Sequence, residues 1–231
     1  MPNSTYDNNN NVPENLLTVK SRISEAANKA GRSPENIKLV AVSKNHTVEL
    51  ISSALLAGHR IFGENRIQET QLKWPVLIDQ YPDISLHLVG SLQTNKVKDA
   101  LAIFDVIETV DRPKLAQAIA REIDRSGNYP ECYIEVNLGN ESQKGGIFPE
   151  ELEGFIALCR DDLALPICGL MCIPPSSEEP APYFALLKKL TLRHGRLESS
   201  MGMSRDYDVA VTFGATVVRV GTEIFGERNA I

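Results

Sequence analysis

Apolar residues in this chain alternate between two patterns. Short, nearly continuous runs such as Leu39-Val40-Ala41-Val42 are separated by longer stretches in which apolar positions recur every three or four residues. The first pattern reads as a strand buried on both faces, the second as a helix packed along one face. The chain opens with such a helix over residues 13–30, with Leu16, Leu17, Ile23, Ala26 and Ala27 on its apolar side and Gly31 as its stop. Eight strands are then predicted, over residues 37–43, 60–63, 85–89, 105–109, 131–137, 166–171, 196–199 and 216–220. Helices are predicted between them over 48–57, 66–78, 95–102, 112–125, 150–159, 181–193 and 204–213. Thr47 precedes the first of these and Gly58 ends it, while Asp111 with Pro113 marks another start.

Strict strand–helix alternation implies a parallel sheet, and eight strands are the number that closes a (β/α)₈ barrel. A doubly wound open sheet is the structural alternative. Almost no chain is left for a helix after the last strand, and the N-terminal helix is placed to cover that gap. The expected organisation is a polar, disordered tail over 1–12 and a single barrel domain over 13–231, with 174–180 as a loop.

Composition narrows the function. The 231 residues are 42% hydrophobic and carry a net charge of −6, with a pI near 5.3. This argues against nucleic-acid or anionic-membrane partners, although a local basic pocket for a phosphate stays open. There is no apolar run of membrane-spanning length and no secretory leader pattern, so a cytoplasmic location is expected. Cys132, Cys159, Cys168 and Cys172 show no zinc or redox spacing and read as reduced thiols; the spacing of Cys168 and Cys172 is a weak redox hint only. His59, His87 and His194 show no metal spacing, and His46 reads as part of a helix start.

In a barrel, the carboxyl ends of all strands face one mouth. Those ends offer Lys44, then Glu64-Asn65-Arg66, Gly90 with residues 92–96, Asn137 ahead of Lys144-Gly145-Gly146, Met171, Ser200-Met201-Gly202-Met203-Ser204, and Arg219 with Gly221-Thr222. A lysine at a strand end is partly desolvated, which frees its amine for attack on a carbonyl and formation of a Schiff base. Taken alone, Lys44 is more simply a solvated strand-end residue. The loops after the last two strands are where barrels often bind phosphate, and here they carry Gly202, Ser204, Gly221 and Thr222. Ser204 also falls at the predicted start of a helix, where the dipole favours an anion. Lysine and cradle together point to an aldehyde that carries a phosphate.

Six ordered motifs resemble those of the pyridoxal 5′-phosphate homeostasis protein family, single-domain relatives of the alanine racemase barrel. They are Val42-Ser43-Lys44, residues 62–69 from Phe62-Gly63-Glu64-Asn65, residues 87–96 from His87-Leu88-Val89-Gly90, Gly169-Leu170-Met171, residues 200–206 and Arg219-Val220-Gly221-Thr222 with the following residues to Gly226. The likeness runs from the first helix to Arg228. Leu86 and Leu88 around His87, and Cys172-Ile173-Pro174 after the fourth motif, depart from the usual family pattern. The resemblance implies an alanine-racemase-like barrel with an extra N-terminal helix. It further implies an internal aldimine between Lys44 and pyridoxal phosphate, and phosphate contacts around Met203, Ser204, Gly221 and Thr222. Asn65 would lie beside the ring and Arg219 at its nitrogen. No metal and no catalytic residue is implied.

An arginine can only donate to the ring nitrogen, which leaves the ring a poor electron sink. The racemase relatives also use a tyrosine base from a second domain, and Tyr133 and Tyr207 fall where neither is an obvious substitute. The expected function is therefore holding and delivering pyridoxal phosphate, as a monomer, to pyridoxal-phosphate-dependent apoenzymes. An amino-acid racemase is the alternative. A barrel that binds another phosphorylated metabolite, without an adduct at Lys44, is a third reading.

Overall fold

Eight parallel strands close into one barrel in the computed structural model of the chain, which describes residues 11–195 and 197–227. The strands are β1 (Lys38–Val42), β2 (Ile61–Glu64), β3 (Ser85–Leu88), β4 (Val106–Val110), β5 (Glu131–Glu135), β6 (Ile167–Met171), β7 (Glu198–Ser200) and β8 (Val217–Val220). Each lies beside its predecessor in sequence, and β8 returns to pair with β1 through Leu39–Val218 and Val40–Arg219. The open-sheet alternative is thereby excluded. Residues 1–10, Arg196 and residues 228–231 lie outside the described residues, and with them most of the expected polar tail.

Alternation along the strands sorts side chains to the two faces of the barrel wall. Val40, Val42, Val106, Tyr133, Met171 and Val217 pack together inside the barrel. Leu39, Ala41, Leu86, Leu88, Ile107 and Leu170 face outward and join the helices in the main core.

The helices follow the apolar periodicity, with corrections at their ends. Helix α1 (Val12–Lys29) starts one residue earlier than the expected tail boundary allows, because the Asn11 side chain accepts from the Glu14 N–H and Val12 is buried. Helix α2 (Val48–Leu56) follows β1. The single helix expected over 66–78 is two, α3 (Ile67–Lys73) and α4 (Pro75–Gln80). Pro75 has no N–H to donate and its ring crowds the preceding turn, so the helix breaks there. Next come α5 (Val97–Leu101), entered through a 3₁₀ turn at Thr94–Lys96, and α6 (Pro113–Ser126), where Arg112 rather than Asp111 holds the cap position. Helix α7 (Leu152–Ala157) ends in one π turn at Leu158–Asp162, and α8 (Ala181–Arg193) matches its periodic stretch.

The last two helices matter for the site. Helix α9 covers only Tyr207–Thr212, so Ser204 lies in a turn ahead of it and not at its first residue. A short helix α10 (Thr222–Phe225), absent from the periodicity, follows β8. Helix α1 packs against α9 and α10 and covers the gap after β8, with Asn15 Nδ2 donating to the Ile224 carbonyl at 3.0 Å. No helix among the described residues is long and apolar enough to cross a membrane.

Candidate functional site

A cavity of about 630 Å³ opens at the carboxyl ends of the strands. Lys44, Asn65, Met203, Ser204, Arg219, Gly221 and Thr222 all line it, together with Val42, His46, Val89, Lys144, Asp206 and the loop from Ile173 to Pro180. Lys44 and Thr222, 178 positions apart in sequence, therefore share one wall. They meet because they extend or follow β1, β2, β7 and β8, and β8 closes on β1.

Lys44 follows β1 directly after buried Ser43 and is half-buried. Its neighbour Asn45 takes a left-handed backbone conformation, φ 60°. His46 stacks obliquely on Phe225 of α10 at 5.2 Å between ring centroids, which ties the β1 loop to the β8 loop.

The cradle is built from the turn 202–206 and the start of α10. Gly202 has φ +92°, and a Cβ there would meet the Ala210 Cβ at 2.5 Å, so only glycine lets this turn pack on α9. At Gly221 a Cβ would meet the Val42 carbonyl oxygen at 3.0 Å, which keeps that stretch of backbone bare at the cavity edge. The Gly221 N–H donates to Ser204 Oγ at 3.3 Å, and the Met203 N–H donates to Asp206 Oδ1 at 2.6 Å. With α9 beginning only at Tyr207 and α10 four residues long, the expected dipole contribution at Ser204 gives way to hydroxyl and backbone N–H donors.

Arg219 is only 4% exposed yet reaches the cavity. One guanidinium nitrogen donates to Ser200 Oγ at 2.6 Å and the other to the Cys172 carbonyl at 3.0 Å. Ser200 passes the connection on, donating to Glu108 Oε2 at 2.6 Å, while Glu108 Oε1 meets His87 Nδ1 at 2.7 Å. Arg219 also lies 3.6 Å from Glu108 Oε2 directly. Burial pushes the Glu108 carboxyl up, but the hydrogen bond and charge of His87, the charge of Arg219 and the Ser200 hydroxyl outweigh it and hold it below the usual range. Arg219 therefore stands on a buried anionic support at the cavity wall.

Sequence reasoning missed this support. Glu108 lies mid-strand and shows no local signal; Ser200 reads as a strand-end residue, but nothing in the sequence links it to Glu108 or Arg219. It also missed Glu135, the last residue of β5, whose carboxyl is pushed up to about 7 by burial and by Asp111 against the opposing charges of Arg219 and Lys144. Asn137, taken from sequence as the offering of that strand, instead closes its own loop, donating to the Glu141 carbonyl at 2.9 Å and accepting from the Glu141 N–H at 3.1 Å. From the third strand only Val89 lines the cavity. Lys144 lines it too, paired with Glu141 and donating to the Pro174 carbonyl at 3.1 Å.

His59 and His87 hold structural bonds, His59 to the Ile61 carbonyl at 2.8 Å, and no cluster of metal-ligand type occurs among the described residues. All four cysteines are free, and burial pushes the thiols of Cys168 and Cys172 up to about 12, far from a reactive thiolate.

One polar atom on this wall lacks a partner. Asn65 Oδ1 is buried with no hydrogen bond, on a residue that lines the cavity. Buried acceptors are normally paired, so an orphan here fits a site that a ligand completes.

The chain matches the family profile of the alanine racemase N-terminal domain over residues 15–229. It is 38% identical to the pyridoxal phosphate homeostasis protein of Aquifex aeolicus, over 95% of this chain and 99% of that protein. Among solved structures it resembles PipY of Synechococcus elongatus PCC7942, determined with PLP bound, at 35% identity and a TM-score of 0.80, over 93% of this chain and all of PipY. An alanine racemase of Clostridium difficile 630 shares the fold at 16% identity and a TM-score of 0.70, and there the match spans 57% of the racemase chain.

Proposed function

The chain belongs to the pyridoxal phosphate homeostasis protein family, and from that premise we propose that its mouth cavity holds pyridoxal 5′-phosphate for storage and delivery, not for turnover. The observation that carries this is the convergence of a lysine, an arginine, an orphan amide oxygen and a hydroxyl cradle on one cavity. When bound, the group supplies an aldehyde carbon open to an amine and a ring able to take up negative charge. Lys44 supplies the amine that anchors it. Ser204 and Thr222 would supply hydroxyl donors to the phosphate, the backbone at Met203 and Gly221 would border it with N–H groups held by Asp206 and Ser204, and Asn65 would lie alongside the ring.

Arg219 would serve the ring nitrogen as a permanent donor, since it does not deprotonate and Glu108 behind it stabilises its charge. A nitrogen that only accepts leaves the ring weak at stabilising a carbanion. Proton delivery to a second face is also unsupported by the tyrosines. The Tyr133 hydroxyl is taken by Glu198 and that of Tyr207 by Glu223 at 2.9 Å; neither residue lines the cavity, and burial raises both phenols above their ordinary range. Delivery of the cofactor to apoenzymes by a cytoplasmic monomer completes the reading; free cysteines are consistent with a reducing compartment.

The test is spectroscopic and kinetic. Purified protein with pyridoxal 5′-phosphate is expected to show a visible band, fixed by borohydride as an adduct on Lys44 and absent in Lys44→Ala. Exchange of the α-proton of alanine is expected to be no faster than with the free cofactor. A reduced adduct at equal occupancy in Lys44→Ala would move the anchor elsewhere, and racemisation on the order of 1 s⁻¹ would make the protein an enzyme.

A further inference from the structure

Lys73, the last residue of α3, is 11% exposed at its side chain and spends its ammonium on three oxygens. It donates to the Ser43 carbonyl at 3.0 Å and to Glu69 Oε1 at 2.7 Å, and it lies 2.8 Å from Glu64 Oε1. Ser43 and Asn45 are the two residues that flank Lys44. Glu69 Oε1 accepts the Asn45 N–H at 2.6 Å, so α3 grips the backbone on both sides of the anchor.

The grip has depth. Ser43 donates its N–H to the Gly63 carbonyl at 2.9 Å and its hydroxyl to Glu64 Oε1 at 2.7 Å, and Trp74 Nε1 donates to the same oxygen at 3.1 Å. Glu64 is fully buried, and burial pushes its carboxyl up despite the charge of Lys73. A cation there stabilises the carboxylate that fixes Ser43. Asn45 sits at φ 60°, a conformation the surroundings must hold. Outside α3, every oxygen that Lys73 reaches belongs either to Ser43 or to the Glu64 that binds Ser43.

We propose that Lys73 is a positioning residue for Lys44: its contacts to Ser43, Glu64 and Glu69 set the backbone from which the Lys44 amine is aimed. The proposal rests on the reading of Lys44 as the covalent anchor. A misaimed amine loses the covalent component of binding, while the phosphate cradle on β7 and β8 is untouched. Displacement of a reacting group by about 1 Å costs on the order of a hundredfold in favourable cases.

The experiment compares two ligands on the full chain: pyridoxal 5′-phosphate, and its 4′-deoxy analogue, which keeps ring and phosphate but carries a methyl in place of the aldehyde. The quantity read is the ratio of their affinities. In Lys73→Met this ratio is expected to fall roughly tenfold or more, with the analogue bound within about twofold of wild type. Lys73→Arg, which keeps the charge, is expected to recover most of the ratio. Glu69→Gln, which weakens the hold on Asn45 but leaves Lys73 on Glu64, is expected to give a smaller fall. It serves as the deciding variant if Lys73→Met does not fold by circular dichroism. A folded Lys73→Met with the wild-type ratio, or one that loses both ligands equally, overturns the proposal; so does an unchanged ratio in Glu69→Gln where that variant decides. If wild type itself shows no preference for the aldehyde, or Lys44→Ala retains it, the anchor reading falls and this proposal with it.

Discussion

Replacing Arg219 by methionine isolates the structural half of its role. The substitution keeps an apolar stem of similar reach but removes the cation that faces Glu108. Glu108 is fully buried, and Arg219 serves it both at 3.6 Å and through Ser200 at 2.6 Å. Removing one member of a buried pair typically costs about 3–5 kcal/mol, because the other charge stays buried. Two features place this case at the lower end: His87 still meets Glu108 at 2.7 Å, and Ser200 still donates to it at 2.6 Å. An unfolding free energy lower by about 3 kcal/mol is expected, which for a chain of this size lowers Tm by roughly 6–12 °C. The assay is urea and thermal unfolding followed by circular dichroism, near neutral pH and without ligand, so that lost binding does not enter. The sign with pH also follows. Glu108 is held below its ordinary range in the folded state, so its contribution is present at neutral pH and is lost as pH falls through the folded value. Arg219→Met is expected to flatten that acid limb. Glu108→Gln should destabilise as well, since it leaves the buried arginine without its anion, and the double variant should cost about 0.5–3 kcal/mol less than the sum of the singles. Arg219→Met within about 0.5 kcal/mol of wild type, or strict additivity, would refute the idea that Glu108 supports the arginine.

Thr222→Val is expected to weaken pyridoxal 5′-phosphate by roughly 1.5–3 kcal/mol, the scale of one charge-assisted hydrogen bond, and to leave dephosphorylated pyridoxal nearly unchanged; equal losses measured by fluorescence titration would move the phosphate out of the cradle. His59 is buried and bonded to the Ile61 carbonyl, and burial lowers its pKa from 6.5 to about 4. The unfolded chain then binds the proton first as pH falls, so stability should decline from pH 6.5 down to about 4, by on the order of 3 kcal/mol. His59→Gln should lessen that slope in urea titrations across the same range, and an unchanged slope would show that His59 is not its source.

The sequence alone determined the scaffold and part of the cavity wall, leaving the loop from Ile173 to Pro180 to the structure. Eight apolar runs alternating with amphipathic stretches leave a parallel sheet few options, and the period of two along each strand decides which residues face inward. Strand ends then name Lys44, Asn65, Arg219 and Gly221 without any contact information, because a parallel barrel sends every carboxyl end to one mouth. Helix ends were less legible. Pro75 announced a break that periodicity across 66–78 concealed, and α10 is too short to show a period at all.

Only the tertiary structure decided which residues support the site. Alternation can say that Glu108 points inward; it cannot say that Ser200, 92 positions away, will carry its charge to Arg219. Closure of β8 on β1 and the stagger of the barrel set that pairing, and these are properties of the whole sheet. Likewise Lys73 looks like any cation in the last turn of a helix until the fold brings it against Ser43, 30 positions earlier. Local sequence encodes which way a side chain faces, through backbone periodicity. Which partner it meets depends on packing between elements distant in the chain, and that is where Arg219 gains its anionic support and the backbone beside Lys44 its hold from α3.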